Sequence, residues 1–243
     1  MRMSMLRSLS GKCAALAAGV VVASFAVLGA TSTPALSTPA FDPPAGLADN
    51  HYLGASECRG CHKKNADGNQ YGKWASIKHA DAFTTLGTEA AKEVAKKAGV
   101  ESPQTDAKCL KCHTTGAGEP AEKFSDTFDR EMGVQCESCH GAGENHEKNR
   151  FAEAANAKPG ERMTVSADEI NSHPSPQGCI TCHSKESPTY KGFCFAKFQP
   201  VIRHLDPRKK RTPEEQAVID MSCGCGDTCT CDGVTTGGCK PAK

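Results

Sequence analysis

GVQCESCHGAGENH, residues 133–146, decides how the rest of the chain is read. It holds Cys136, Cys139 and His140 as a C-x-x-C-H cluster, then Gly141 and Gly143, then a second histidine, His146. Two thiols three residues apart can bond the two vinyl groups of a haem while the adjacent imidazole ligates its iron. The cluster recurs as CRGCH at 58–62, CLKCH at 109–113 and CITCH at 179–183. A single copy is compatible with a zinc or redox site. Four copies, each with its histidine immediately following, point instead to four covalently attached c-type haems. The attachment residues are then Cys58, Cys61, Cys109, Cys112, Cys136, Cys139, Cys179 and Cys182, and the proximal iron ligands are His62, His113, His140 and His183.

The motifs start 51, 27 and 43 residues apart, which excludes a tandem repeat of one structural unit. Aromatic residues make up 5% of the 243-residue chain, and the mean hydropathy is −0.47. A side-chain core would be thin for this length, so the haems are expected to organise the interior. Gly and Pro recur between the motifs (GAGEP, KPGE, HPSPQG) and strand-like alternation is scarce. The expected fold class is mainly α with extensive coil and little or no β-sheet: a multihaem cytochrome c arrangement around four bound haems. Between the first two motifs, KWASIKHADAFTTLGTEAAKEVAKKAGV (73–100) reads as two helices broken near Gly87 and ended at Gly99. His79 falls on the first of them, where Trp74 and Phe83 could cover a porphyrin face.

A net charge of +1 leaves no electrostatic footprint for nucleic acid. Fifteen cysteines imply a metal, a cofactor or an oxidising compartment. Arg2, Arg7 and Lys12 precede a 17-residue apolar run at 14–30, followed by the small and Pro-rich TSTPALSTPAFDPPAG. This is the layout of a signal peptide, and the run is short and weakly apolar for a membrane span. The sequence divides into a signal peptide over 1–35, cleaved somewhere in 30–40, a Pro-rich linker over 36–50, a tetrahaem domain over 51–210, and a short helix with a Cys-rich tail over 211–243. The mature protein is expected in the periplasm, without a transmembrane segment.

Each haem iron has two axial positions, and the motif histidines fill one each. Five of the nine histidines remain: His51, His79, His146, His173 and His204. His146 lies six residues past His140. To reach the opposite face of the same haem that loop would have to run almost straight at roughly 3.3 Å per residue, whereas Gly141 and Gly143 favour a turn. Donation to a different haem is the better use, and the same reasoning covers His173, six residues before Cys179. His79, His146 and His173 are the expected distal ligands, His204 is a further candidate, and His51 is spare.

The stretches CRGCH, KWASIKHADAF, CLKCHTTG, GVQCESCHGAGENH and CITCH with its following SPTYKG resemble the tetrahaem cytochromes of the c-554 type, over residues 58–207. Ala142 stands where that family's pattern has proline. The resemblance implies a periplasmic electron carrier, with His79, His146 and His173 as distal ligands and three bis-histidine haems. It also implies an open axial site at the haem on Cys109, Cys112 and His113, which His204 or His51 could close here. Redox proteins are the expected partners, and lysines in KKNADGNQYGK, AAKEVAKK and PRKKR offer a basic face to an acidic one. The competing function is reduction or oxidation of a small nitrogen species at a five-coordinate haem.

The tail is a separate object. TPEEQAVIDM reads as a polar helix with Thr212 as N-cap and Pro213 at its first position. Cys223, Cys225, Cys229, Cys231 and Cys239 follow in a pattern weakly similar to metallothionein segments, suited to copper or zinc. Disulfides are the alternative, because Cys194 makes the non-haem cysteines of the mature chain an even six.

Overall fold

A computed structural model describes residue 47 and residues 49–156, 165–166 and 168–220. The expected signal segment, most of the linker and the tail cysteines Cys223, Cys225, Cys229, Cys231 and Cys239 lie outside the described residues. Ten helices are described: α1 (Ala55–His62), α2 (Gln70–Ala75), α3 (Ala82–Leu86), α4 (Glu89–Lys97), α5 (Ala107–His113), α6 (Glu137–His140), α7 (Glu144–Asn156), α8 (Pro176–Ile180), α9 (Phe195–Ile202) and α10 (Pro213–Asp220). Long connections join them. No sheet forms among the described residues, where an isolated bridge joins Tyr52 and Phe124. The mainly helical expectation holds.

Short local signals set the helix boundaries. The Thr88 side chain caps α4 by accepting from Ala91 N, and Gly99, at φ +71°, ends it while Val100 N reaches back to Ala95 O at 2.8 Å. Thr212 and Glu215 cap α10 reciprocally: Glu215 N donates to Thr212 Oγ1 at 3.2 Å, and Thr212 N to Glu215 Oε2 at 3.0 Å.

The expected helix through His79 does not form as one piece. The chain breaks after Ala75 and restarts at Ala82, leaving His79 in the turn between α2 and α3. Its carbonyl is drawn away from helical pairing. It accepts from Val134 N at 2.9 Å, tying the turn to the residues just ahead of the third motif. Gly133 makes this approach possible: at φ +75° it lies so close that a Cβ there would sit 2.7 Å from His79 O. Trp74 locks the same junction from the other side, its indole N–H donating to Val134 O at 2.8 Å. Trp74 is buried and spent on this packing.

The buried apolar side chains are few, and four of them are alanines, Ala55, Ala95, Ala142 and Ala196. The two largest fully buried side chains are polar, Gln135 and Thr115. Thr115 Oγ1 lies 2.8 Å from Ser138 Oγ and accepts from Gln135 N at 2.8 Å, so the residue two places after the second motif is bound into the third. An interior assembled from hydrogen-bonded polar groups and small side chains is what a chain built to surround large apolar prosthetic groups would show.

Candidate haem sites

Each motif is a single helical turn. The first lies at the end of α1 and the second at the end of α5, with His62 and His113 as last residues. In the third, Cys136 opens α6 and His140 closes it. The fourth begins within α8 and continues one turn, His183 N donating to Cys179 O at 2.9 Å. Helical spacing places residues three and four apart on one face, so both thiols and the imidazole of a motif share a side.

The four motifs lie against one another. The Cys58 and Cys136 thiols share a hydrogen bond that lowers the pKa of Cys136 and raises that of Cys58, joining the first motif to the third. Cys112 and Cys182 do likewise for the second and fourth, the bond to Cys112 bringing Cys182 down to about 7. Lys111 Nζ, donating to Glu186 Oε2 at 2.5 Å, braces the same junction. Burial, with Cys179 and Cys182 nearby, pushes Cys139 up to about 12, placing the third motif beside the fourth. None of the eight motif cysteines is paired in a disulfide. Cys194 is buried and disulfide-bonded.

Three histidine rings face motif histidines. His146 lies opposite His62, with ring centroids 6.2 Å apart and planes 25° from parallel. His79 lies opposite His183 at 6.1 Å and 52°, and His204 opposite His140 at 5.9 Å and 59°. Two imidazoles sharing one iron through Nε2, with metal–nitrogen bonds of about 2 Å, have centroids roughly 6 Å apart. Three pairs meet that spacing. Among the described residues no histidine ring faces His113 in this way.

The second ring nitrogen supports the same role. His113 Nδ1 lies 2.7 Å from Ala82 O, His140 Nδ1 2.7 Å from Asn171 O, and His204 Nδ1 2.9 Å from Ile202 O. Donation of Nδ1–H to a carbonyl leaves Nε2 unprotonated and aimed outward, the tautomer a metal requires. Burial pushes the pKa of His140 down to about 4, and burial likewise lowers those of His79, His146 and His183. These imidazoles are neutral, as ligation requires. The residues present therefore fit haem at every motif, and among the described residues His113 alone of the four motif histidines has no second histidine ring facing it.

His146 stands in the first turn of α7, after a bend at Gly141, whose φ is +80°. A Cβ on Gly141 would meet Leu47 Cδ1 at 2.9 Å, so the bend needs glycine for shape and for room. His173 is placed differently from its expectation as a distal ligand. It is exposed, and its Nε2 lies 2.8 Å from Lys209 Nζ and 2.8 Å from Glu215 Oε1. His204 instead faces a motif histidine. His51 is engaged by Glu144, its Nδ1 2.6 Å from Oε2; hydrogen bonds from Lys148 and His51 hold the Glu144 carboxyl down to about 2.

Residues 57–141 match the family described as cytochrome c554 and c-prime. Over that span the chain is similar to the cytochromes of the c554 type. The matched segment carries the first three motifs and His79, and ends at Gly141, ahead of His146, the fourth motif and His204. No curated protein and no solved structure gives a significant match. The match supports a c-type cytochrome, an electron carrier that holds haem covalently. No helix among the described residues is long and apolar enough to cross a membrane.

Two residues that the motif reading passed over belong to the site's frame, Gln135 and Glu137. Both sit inside GVQCESCH and both are buried. Their signal was a pair of long polar side chains set among the attachment residues Cys136, Cys139 and His140.

Proposed function

We propose that the protein is a periplasmic tetrahaem electron carrier in which His62 and His146 ligate the first haem, His140 and His204 the third, and His183 and His79 the fourth. His113 ligates the second haem from one side only. The observation that carries this reading is the set of three opposed imidazole pairs near 6 Å. In each pair the distal histidine lies in sequence next to, or beyond, a different motif from the one it serves, so the ligands cross-brace the haems at fixed separations. Bound haem supplies a one-electron iron couple. The chain's residues set its potential through ligand choice and burial, and the thiol contacts support an order of first, third, fourth and second along the wire. Exposed lysines on α4, Lys92, Lys96 and Lys97, support docking of an acidic redox protein. The tail cysteines remain candidates for copper or zinc or for disulfides, and the disulfide at Cys194 favours the latter chemistry there.

A second reading, catalysis on a small nitrogen species, is favoured by one feature: the absence of a histidine ring opposite His113 among the described residues. Reductive titration with spin-state assignment tests both. Four haems per chain are expected, three low-spin and one high-spin that binds carbon monoxide. Turnover of a nitrogen substrate at the high-spin haem faster than exchange with a redox partner would favour the enzyme, and four low-spin haems would exclude an open site.

A further inference from the structure

The segment entering α1 is laced to the third motif along its length. Leu53 N donates to Glu137 Oε1 at 2.9 Å, Gly54 N to Glu137 Oε2 at 2.8 Å, and Ala55 N to Gln135 Oε1 at 2.7 Å. The Gly54 and Ala55 amides are among those a helix N-terminus leaves unpaired, and Leu53 directly precedes them. Gly54, at the N-cap, has no side chain to satisfy them, and α1 carries no capping bond of its own. The helix holding Cys58, Cys61 and His62 is therefore capped from another motif, about eighty residues along the chain.

Glu137 does a second thing. The same Oε1 accepts from Gly143 N at 2.8 Å, fixing the bend that delivers His146 into α7. One buried carboxylate thus holds the backbone on both sides of the His62–His146 pair. Neighbouring contacts keep it in place: Gln135 Nε2 donates to Asp129 O at 2.8 Å, and Asn50 Nδ2 to Ala142 O at 3.2 Å. Hydrogen bonds to a charged acceptor are the stronger kind, and three converge on Glu137.

We infer that Glu137, supported by Gln135, is a positioning residue for the first haem: it clamps the start of α1 and the Gly143 bend so that His146 stays opposite His62. The inference rests on the proposed pairing of those histidines. It goes beyond that pairing by assigning its geometry to a carboxylate that touches neither ring.

The holoprotein variants Glu137→Ala and Glu137→Gln test it, beside His146→Ala, by haem spin state and by amide hydrogen exchange. Glutamine preserves size and one acceptor oxygen but turns an NH2 toward backbone donors. Both Glu137 variants are expected to retain all four haems, to speed exchange at Leu53, Gly54 and Gly143 by about tenfold or more, and to convert one low-spin haem partly or wholly to high-spin. His146→Ala should convert the same haem completely without speeding exchange at Leu53 and Gly54. Faster exchange with no spin change in the Glu137 variants, while His146→Ala does convert a haem, would overturn the positioning role and leave Glu137 a packing residue. Unchanged spin in His146→Ala would overturn the pairing itself. Unchanged exchange in both Glu137 variants would overturn the clamp.

Discussion

His204→Ala is expected to turn one low-spin haem of the proposed set high-spin, while His173→Ala leaves every haem as it was. On sequence grounds His173 is the expected ligand and His204 a further candidate, and the structure separates them by what their nitrogens face. The His204 ring lies 5.9 Å from that of His140, with its Nδ1 turned to Ile202 O, which frees Nε2 for the iron of the third haem. His140 is oriented in the same way through Asn171 O. Removing His204 would empty one axial position, because His62 and His146, the other histidines near His140, face each other. The potential of that haem should rise, because a second imidazole donor is lost, and carbon monoxide should bind a second haem. His173 is exposed and its Nε2 is shared between Glu215 and Lys209, so alanine there removes a surface contact between the segment ahead of the fourth motif and α10. Low-temperature electron paramagnetic resonance of the two variants reads the difference directly. Conversion in His173→Ala and none in His204→Ala would hand the ligand role back to His173.

The helical class and the haem motifs were legible because they depend on short, chemically rigid patterns. C-x-x-C-H needs only one helical turn to bring two thiols and an imidazole to one side, and that turn is local. The caps at Thr88 and Thr212 and the stop at Gly99 are local as well. What the sequence did not carry was any contact that closes over long separations. The helix expected through His79 is broken because a carbonyl there bonds Val134, and no periodicity in 73–86 records that partner. The choice between His173 and His204 turned on the same kind of information. Both lie near the fourth motif, and only the path of the chain through Ile202 and α9 brings one of them to His140. Glu137 was hidden for a different reason: the motif reading treats the two positions between the cysteines as filler, yet one of them supplies the acceptors that seat another motif's helix.

Trp74→Ala is expected to cost about 3–5 kcal/mol, the range for emptying a large aromatic site. Trp74 is the only tryptophan, it is 7% exposed, and it packs against the Tyr71 ring with centroids 5.4 Å apart. Its loss also strips Val134 O of the indole donor at 2.8 Å. Against a total stability of about 5–15 kcal/mol for a folded domain, this is a large share. For a chain of this length it corresponds to a fall of roughly 6–20 °C in the apparent Tm. The consequence should reach the haems. Val134 is held on one side by Trp74 and on the other by donating to His79 O, so the indole supports the turn that places His79 opposite His183. Trp74→Phe keeps one aromatic ring but removes the N–H and part of the indole, so it should cost about 1–3 kcal/mol, the penalty for one unpaired buried acceptor plus a small cavity. Thermal unfolding followed at the haem absorbance, together with the low-spin signal of the fourth haem, measures both effects. An apparent Tm unchanged in Trp74→Ala would mean that the covalent haems, rather than this indole, hold α2 against the third motif.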